Sequence, residues 1–195
     1  GTMLASTTQG RYVVEAMNLA GYGIAVPGVH EFDYGVSGLV GTLSKGAKHQ
    51  YISCNFTMTA NGQTVFKPYV IKTYGSAKVA YIGISDPQTI SKSGASFKNS
   101  DGSAAYSFAD GSGGKKLYEA VQNAIDEAKA AGADYIVAIG HLSTTGDAAY
   151  TPKSVIENTT GIQAFIDGNT HTAIVGEKVK GADGAEALLT CAGAG

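Results

Sequence analysis

The chain has 195 residues, 44% of them hydrophobic, which is enough for the core of one domain of ordinary size. With 14 Lys and Arg against 16 Asp and Glu the formal net charge is −2, so the basic field that nucleic acid polymers or anionic lipid surfaces require is missing. Charged residues make up 15% and glycines number 27; against the roughly 25% charge of an average soluble domain, polarity has passed to Ser, Thr, Asn and the tight turns that glycine serves.

In chain order, Tyr12, Val13, Ala16, Met17 and Ala20 fall at helical spacing before Gly21, predicting a helix over 10–20. A short apolar run at 23–26, closed by Pro27-Gly28, predicts a buried strand that delivers a loop containing His30, Glu31 and Asp33. Val36, Leu39, Val40 and Leu43 resume the helical period, and strands are expected at 51–57, 66–72 and 79–84. Residues 87–113 are weakly patterned and rich in Ser, Gly and Asp, which predicts a long surface excursion. Leu117, Tyr118, Val121, Ala124, Ile125 and Ala128 then define an amphipathic helix before Gly132, followed by a central strand at 135–139. A helix–strand unit over 152–166 and two late strands near 173–179 and 187–191, joined by a turn at 181–184, complete the pattern. Helices alternating with apolar strands predict an α/β fold, and the paired late strands predict mixed sheets within a single domain over 1–195.

No apolar run approaches the ~18 residues of a membrane span, and the N-terminus lacks a signal-peptide pattern, so the chain reads as soluble and mature. Cys54 and Cys191 belong to no CxxC or Cys/His cluster; they read as small buried strand residues, with one disulfide left open as the alternative.

The histidines carry the chemical signal. His30, His141 and His171 each follow a predicted strand, whereas His49 does not. Loops at the C-terminal ends of strands are where α/β folds gather ligands, so three histidines in that context predict a shared site. The runs Glu15-Ala-Met-Asn-Leu-Ala-Gly-Tyr22, Val26-Pro-Gly-Val-His-Glu-Phe-Asp-Tyr-Gly35, Gly140-His141 and Phe165-Ile-Asp-Gly-Asn-Thr-His-Thr172 resemble the metallophosphatase (calcineurin-like phosphoesterase) domain of bacterial 5′-nucleotidases. The resemblance implies a four-layer α/β/β/α sandwich and two divalent metals at the strand ends that bridge a phosphate and activate water. It implies that His30 and Asp33 form the pair in which a carboxylate orients the imidazole that stabilises phosphate charge. His141 and His171 match metal-ligand positions, and Asn169 falls where the family has a ligating histidine and offers an amide oxygen instead.

Departures from the family pattern accompany these matches. Gly28-Val29-His30-Glu31 stands where the family has Gly-Asn-His-Glu, so Val29 replaces a ligand with a side chain that has no donor atom. The family's opening Asp-x-His and Gly-Asp motifs are not found, which gives the expectation of a domain lacking its first strands, with no nucleoside-recognition domain. Two histidines and one amide supply no negative charge against a di-metal centre, so binding of Mn, Zn, Co or Mg is expected to be degenerate. The leading expectation is a pseudoenzyme acting as a binding or structural module. The alternatives are a metal-dependent phosphomonoester hydrolase completed by another chain or by self-association through exposed sheet edges, and a self-assembling structural component. The resemblance also implies an extracellular or cell-envelope location in a bacterium.

Other motifs are weaker. Gly111-Ser-Gly-Gly-Lys-Lys lacks the rest of a phosphate-loop pattern and reads as a solvated turn. Ser143, Thr144, Thr145 and Asp147 have no nucleophile elbow. Asn55-Phe-Thr and Asn158-Thr-Thr fit the glycosylation triplet, with Asn55 inside a predicted strand.

Overall fold

A computed structural model describes residues 3–144 and 147–193. A short helix α1 (Met3–Thr7) precedes the expected helix α2 (Arg11–Ala20). After β1 (Ile24–Ala25) the chain runs through α3 (Gly35–Gly38), a π-helical turn at Leu39–Leu43 and α4 (Ser44–Gly46). The apolar face read in the sequence is real here, since Val36, Leu39 and Leu43 all enter the core, although the turn at 39–43 is wider than an α-helical one.

The strand expected at 51–57 splits into β2 (Gln50–Tyr51) and β3 (Thr57–Met58). Between them the amides of Ile52, Ser53 and Cys54 donate to Ala25 O, Lys67 O and Gly83 O. Three different partners in succession prevent any one ladder from continuing. The next strand, β4 (Tyr69–Tyr74), starts later than its apolar run because Pro68 has no amide to donate. It pairs antiparallel with β5 (Ala77–Ser85).

The predicted surface excursion is more than that. It contains α5 (Thr89–Lys92) and β6 (Tyr106–Ser107), which pairs with β3, and it sends Phe97 and Phe108 into the core. These aromatics lie singly among polar residues, so no periodicity announced their burial. Helix α6 (Lys115–Ala130), β7 (Tyr135–His141), α7 (Pro152–Glu157), β8 (Ala164–Asp167), β9 (Ile174–Lys180) and β10 (Glu186–Cys191) follow close to expectation. The main sheet has six strands in the order β4-β5-β7-β8-β10-β9, parallel from β5 to β10 and antiparallel at both edges. This mixed α/β architecture is the one the sequence predicts.

The hydrophobic core has two parts. Ala80, Ile82, Ile136, Ala138, Phe165 and Leu189 meet Leu117, Val121 and Ile125 of α6 and Val155 and Ile156 of α7. Across the sheet, Val14, Leu39, Tyr51 and the phenylalanines 32, 56, 97 and 108 form the second. The two layers touch where Ile52 crosses β5 at Gly83; a Cβ on that glycine would overlap the Ile52 carbonyl.

Cover on that side is incomplete. In register, Val79, Tyr135, Val137, Ile139, Ile166 and Leu188 share the face turned away from the helices. Tyr135, Ile166 and Leu188 are 52%, 45% and 47% exposed. Parallel strands are ordinarily covered on both faces, and here the facing sheet of described residues has only β1 and β2.

Candidate functional site at the strand ends

The loop after β1 is shaped by a single turn of 3-10 helix, Val29–Phe32. The Glu31 carboxylate accepts the Gly28 amide at 2.8 Å, closing the turn at its start. Phe32 points inward with no exposure, while His30 and Asp33 stay at the surface. His30 Nδ1 lies 3.1 Å from Asp33 Oδ2. With Nδ1–H directed to the carboxylate, Nε2 is the nitrogen left to face a ligand.

His141, the last residue of β7, lies flat against that loop: a Cβ on Gly28 would stand 2.6 Å from its Nε2. Only glycine permits this approach. Burial lowers the His141 pKa, with Glu31 and Asp86 opposing the shift and His30 and His171 reinforcing it. His30 and His171 are thus both near enough to His141 to act on its charge. Asn169 and His171 sit in the turn after β8 with φ of 42° and 54°. Both are left-handed conformations that Asn and His tolerate better than most residues.

Two carboxylates escaped the sequence reading. Asp86, directly after β5, is fully buried and accepts the Gln88 amide and the Lys92 ammonium, each at 2.9 Å. Asp167 ends β8, and its Oδ1 accepts the Leu142 amide at 2.8 Å, but its Oδ2 is buried with no hydrogen-bond partner. Burial, with a contribution from Asp86, pushes the Asp167 carboxyl up to about 6. The same strand-end rule that finds the histidines would find both, but Asp86-Pro87 and Asp167-Gly168 look like turn punctuation.

The other motifs resolve as structure. Asp147 caps Ala149 N and Thr144 bonds Thr170, while Thr145 lies outside the described residues. The Gly111 segment is a turn leading into α6, where Lys115 approaches Glu119. Asn55 has no exposure, so its triplet is inaccessible to glycosylation. His49 is buried edge-on to Tyr51. Cys54 and Cys191 are free, buried thiols. Burial pushes Cys54 up to about 12 and also raises Cys191, beside the Asp167 carboxylate. A thiol reagent should therefore leave both unmodified in the native protein and titrate two per chain in denaturant. Reaction of either thiol at its unfolded rate under native conditions would contradict their placement.

The donor set does not fit a metal centre by itself. Among the described residues no three His, Cys, Asp or Glu side chains converge to hold an ion. Val29 brings no donor, Asp86 is already engaged by Lys92, and Asp167 is tied to the β7 turn.

The geometry has clear relatives. No family model matches the chain. It is 31% identical over 185 residues to a trifunctional nucleotide phosphoesterase, YfkN, of Bacillus subtilis, covering 86% of this chain and 12% of that protein. It is 28% identical over 196 residues to a 2′,3′-cyclic-nucleotide 2′-phosphodiesterase/3′-nucleotidase of Salmonella typhimurium, covering 91% and 28%. A 5′-nucleotidase precursor from Thermus thermophilus superposes with a TM-score of 0.78 at 24% identity, over 98% of this chain and 37% of that one. The fold is thus the metallophosphatase fold. By sequence the chain is homologous, over most of its length, to 5′-nucleotidases and calcineurin-like phosphoesterases. Divalent metals are general in the calcineurin-like group. The chain spans between about an eighth and just over a quarter of these two curated relatives.

Proposed function

We propose that this chain, acting alone, is a non-catalytic binding module of phosphoesterase ancestry whose strand-end rim recognises a phosphoester through His30. The observation that carries the reading is the His30–Asp33 pair, held with Nε2 outward beside His141 and His171, in a rim whose donors do not assemble a metal centre. Val29 and Asn169 occupy positions where the family pattern has stronger ligands. Affinity is expected to be weak, about millimolar, because Glu31, Asp33 and Asp86 put negative charge on the same rim.

Inorganic phosphate should give saturable shifts of the Gly28 amide and His141 ring resonances that His30→Ala abolishes. Purified protein exposed to manganese, zinc or cobalt should retain less than one ion per chain and leave p-nitrophenyl phosphate unhydrolysed. Stoichiometric metal, with turnover lost in His141→Ala, would overturn the reading.

A second reading has an observation of its own. The exposed apolar residues Tyr135, Ile166 and Leu188 on one face of the main sheet suit a phosphomonoester hydrolase completed by another chain or by self-association. Turnover that appears only with such a partner, with a matching rise in solution size, would support it. A location outside the cytoplasm accords with relatives that include a snake venom 5′-nucleotidase. Among the described residues no helix is long and apolar enough to cross a membrane.

A further inference from the structure

The rim is assembled from loops far apart in sequence, and two buried devices fix their relative positions. The first is Asn55. Its Nδ2 donates to Ser85 O at 2.8 Å and to Phe108 O at 2.9 Å, and its Oδ1 accepts from Ser85 N at 2.9 Å and Ser53 Oγ at 3.2 Å. All the bonding capacity of the amide is used, without water, in a fully buried position. Ser85 Oγ in turn donates to Pro27 O at 3.1 Å, and Pro27 precedes the glycine on which His141 rests. The second device is aromatic. Phe32, inside the turn that carries His30 and Asp33, meets Phe97, Phe108 and Phe56 edge-on at centroid distances of 5.3, 5.5 and 5.3 Å. Phe97 and Phe108 both come from the 87–113 segment, and Phe108 is the residue whose carbonyl Asn55 holds.

We propose that Asn55, Phe97 and Phe108 are positioning residues of the strand-end site, and that the 87–113 segment sets the placement of His30 and Asp33. The functional meaning rests on the reading of His30 as the phosphoester-facing group. The mechanical statement stands without it. Fixed rings and a saturated amide leave the 29–32 turn one seat. Loosening Phe97 or the Phe108 carbonyl frees that turn while the β5–β7–β8 ladder stays intact.

The test compares Phe97→Leu and Phe97→Ala with wild type, with Asn55→Ser as an independent variant. Native-state hydrogen exchange is followed at Gly28 and Asp33, whose amides close the turn, and at Ile136, Ala138 and Phe165 in the central strands. Exchange at Gly28 and Asp33 should accelerate about threefold in Phe97→Leu and about tenfold in Phe97→Ala, with the strand amides unchanged. Long-range imidazole spectra should show the His30 Nδ1 signal moving toward that of an unpaired ring in the same order. Asn55→Ser should produce the same local pattern. Uniform acceleration across all five amides, or none at Gly28 and Asp33, overturns the positioning role. If Phe97→Ala does not fold, Phe97→Leu decides alone by the same comparison. Inorganic phosphate is titrated in parallel: failure of wild type to bind it removes the functional reading, whereas the exchange pattern judges the positioning separately.

Discussion

Asp167→Asn should gain stability relative to wild type by about 2 kcal/mol as pH rises from 4 to 7.5. Burial raises the carboxyl from its ordinary 3.8 to about 6. At pH below the unfolded value the group is protonated in both states and its shift costs nothing. As pH rises, the unfolded chain releases its proton first, and stability falls until the folded pKa is passed. Above that the fold carries a buried negative charge whose second oxygen has no partner. Asparagine keeps an oxygen for the Leu142 amide and removes the charge. Its amide nitrogen then occupies the unpartnered position at a cost that does not vary with pH, so the slope is the diagnostic quantity. Urea unfolding of both proteins at several pH values checks it. A constant difference across the range would mean that Asp167 ionises like an exposed carboxylate.

The second large effect belongs to Gly83. Any side chain there meets the Ile52 backbone where the small β1–β2 sheet lies over the main one. A carbonyl cannot rotate aside as a flexible side chain does, so Gly83→Ala must separate the layers or shift β5. Overpacking of this kind costs about 3 kcal/mol, or roughly 6–12 °C in a domain of this length. Because Ser85 ends the same strand and Asp86 follows it directly, the His141 and Gly28 resonances should shift as well. Thermal denaturation together with a proton–nitrogen spectrum tests both. A melting temperature within 1–2 °C of wild type would show that the layers slide freely.

What was legible in the sequence follows from physical range. Periodicity reports which side of an element is buried, and α2, α6, β5 and β7 stand near where it put them. The strand-end rule needs only local order, and it singled out His30, His141 and His171 in the sequence. The Phe32 cluster was invisible because its members come from positions 32, 56, 97 and 108 and no local pattern links them. Asn55 was only half legible for a related reason: its place inside a predicted strand argues against a surface triplet, but only the three-dimensional partners Ser85 and Phe108 reveal a buried tie. The break between β2 and β3 was hidden likewise, since a run of strand-forming residues does not disclose that its amides serve three partners.

The half-covered face of the main sheet also limits how this site could acquire new chemistry. Strands β5, β7, β8 and β10 run parallel and finish at the same end, where the histidines lie. β1 is parallel to β2 and also finishes with its loop against His141. A strand laid over Ile166 and Leu188 in the same direction would emerge at that rim whatever its sequence. Burying Ile166 and Leu188 and delivering fresh side chains to His141 and His171 would then be one structural event, so solubility and reactivity would change together.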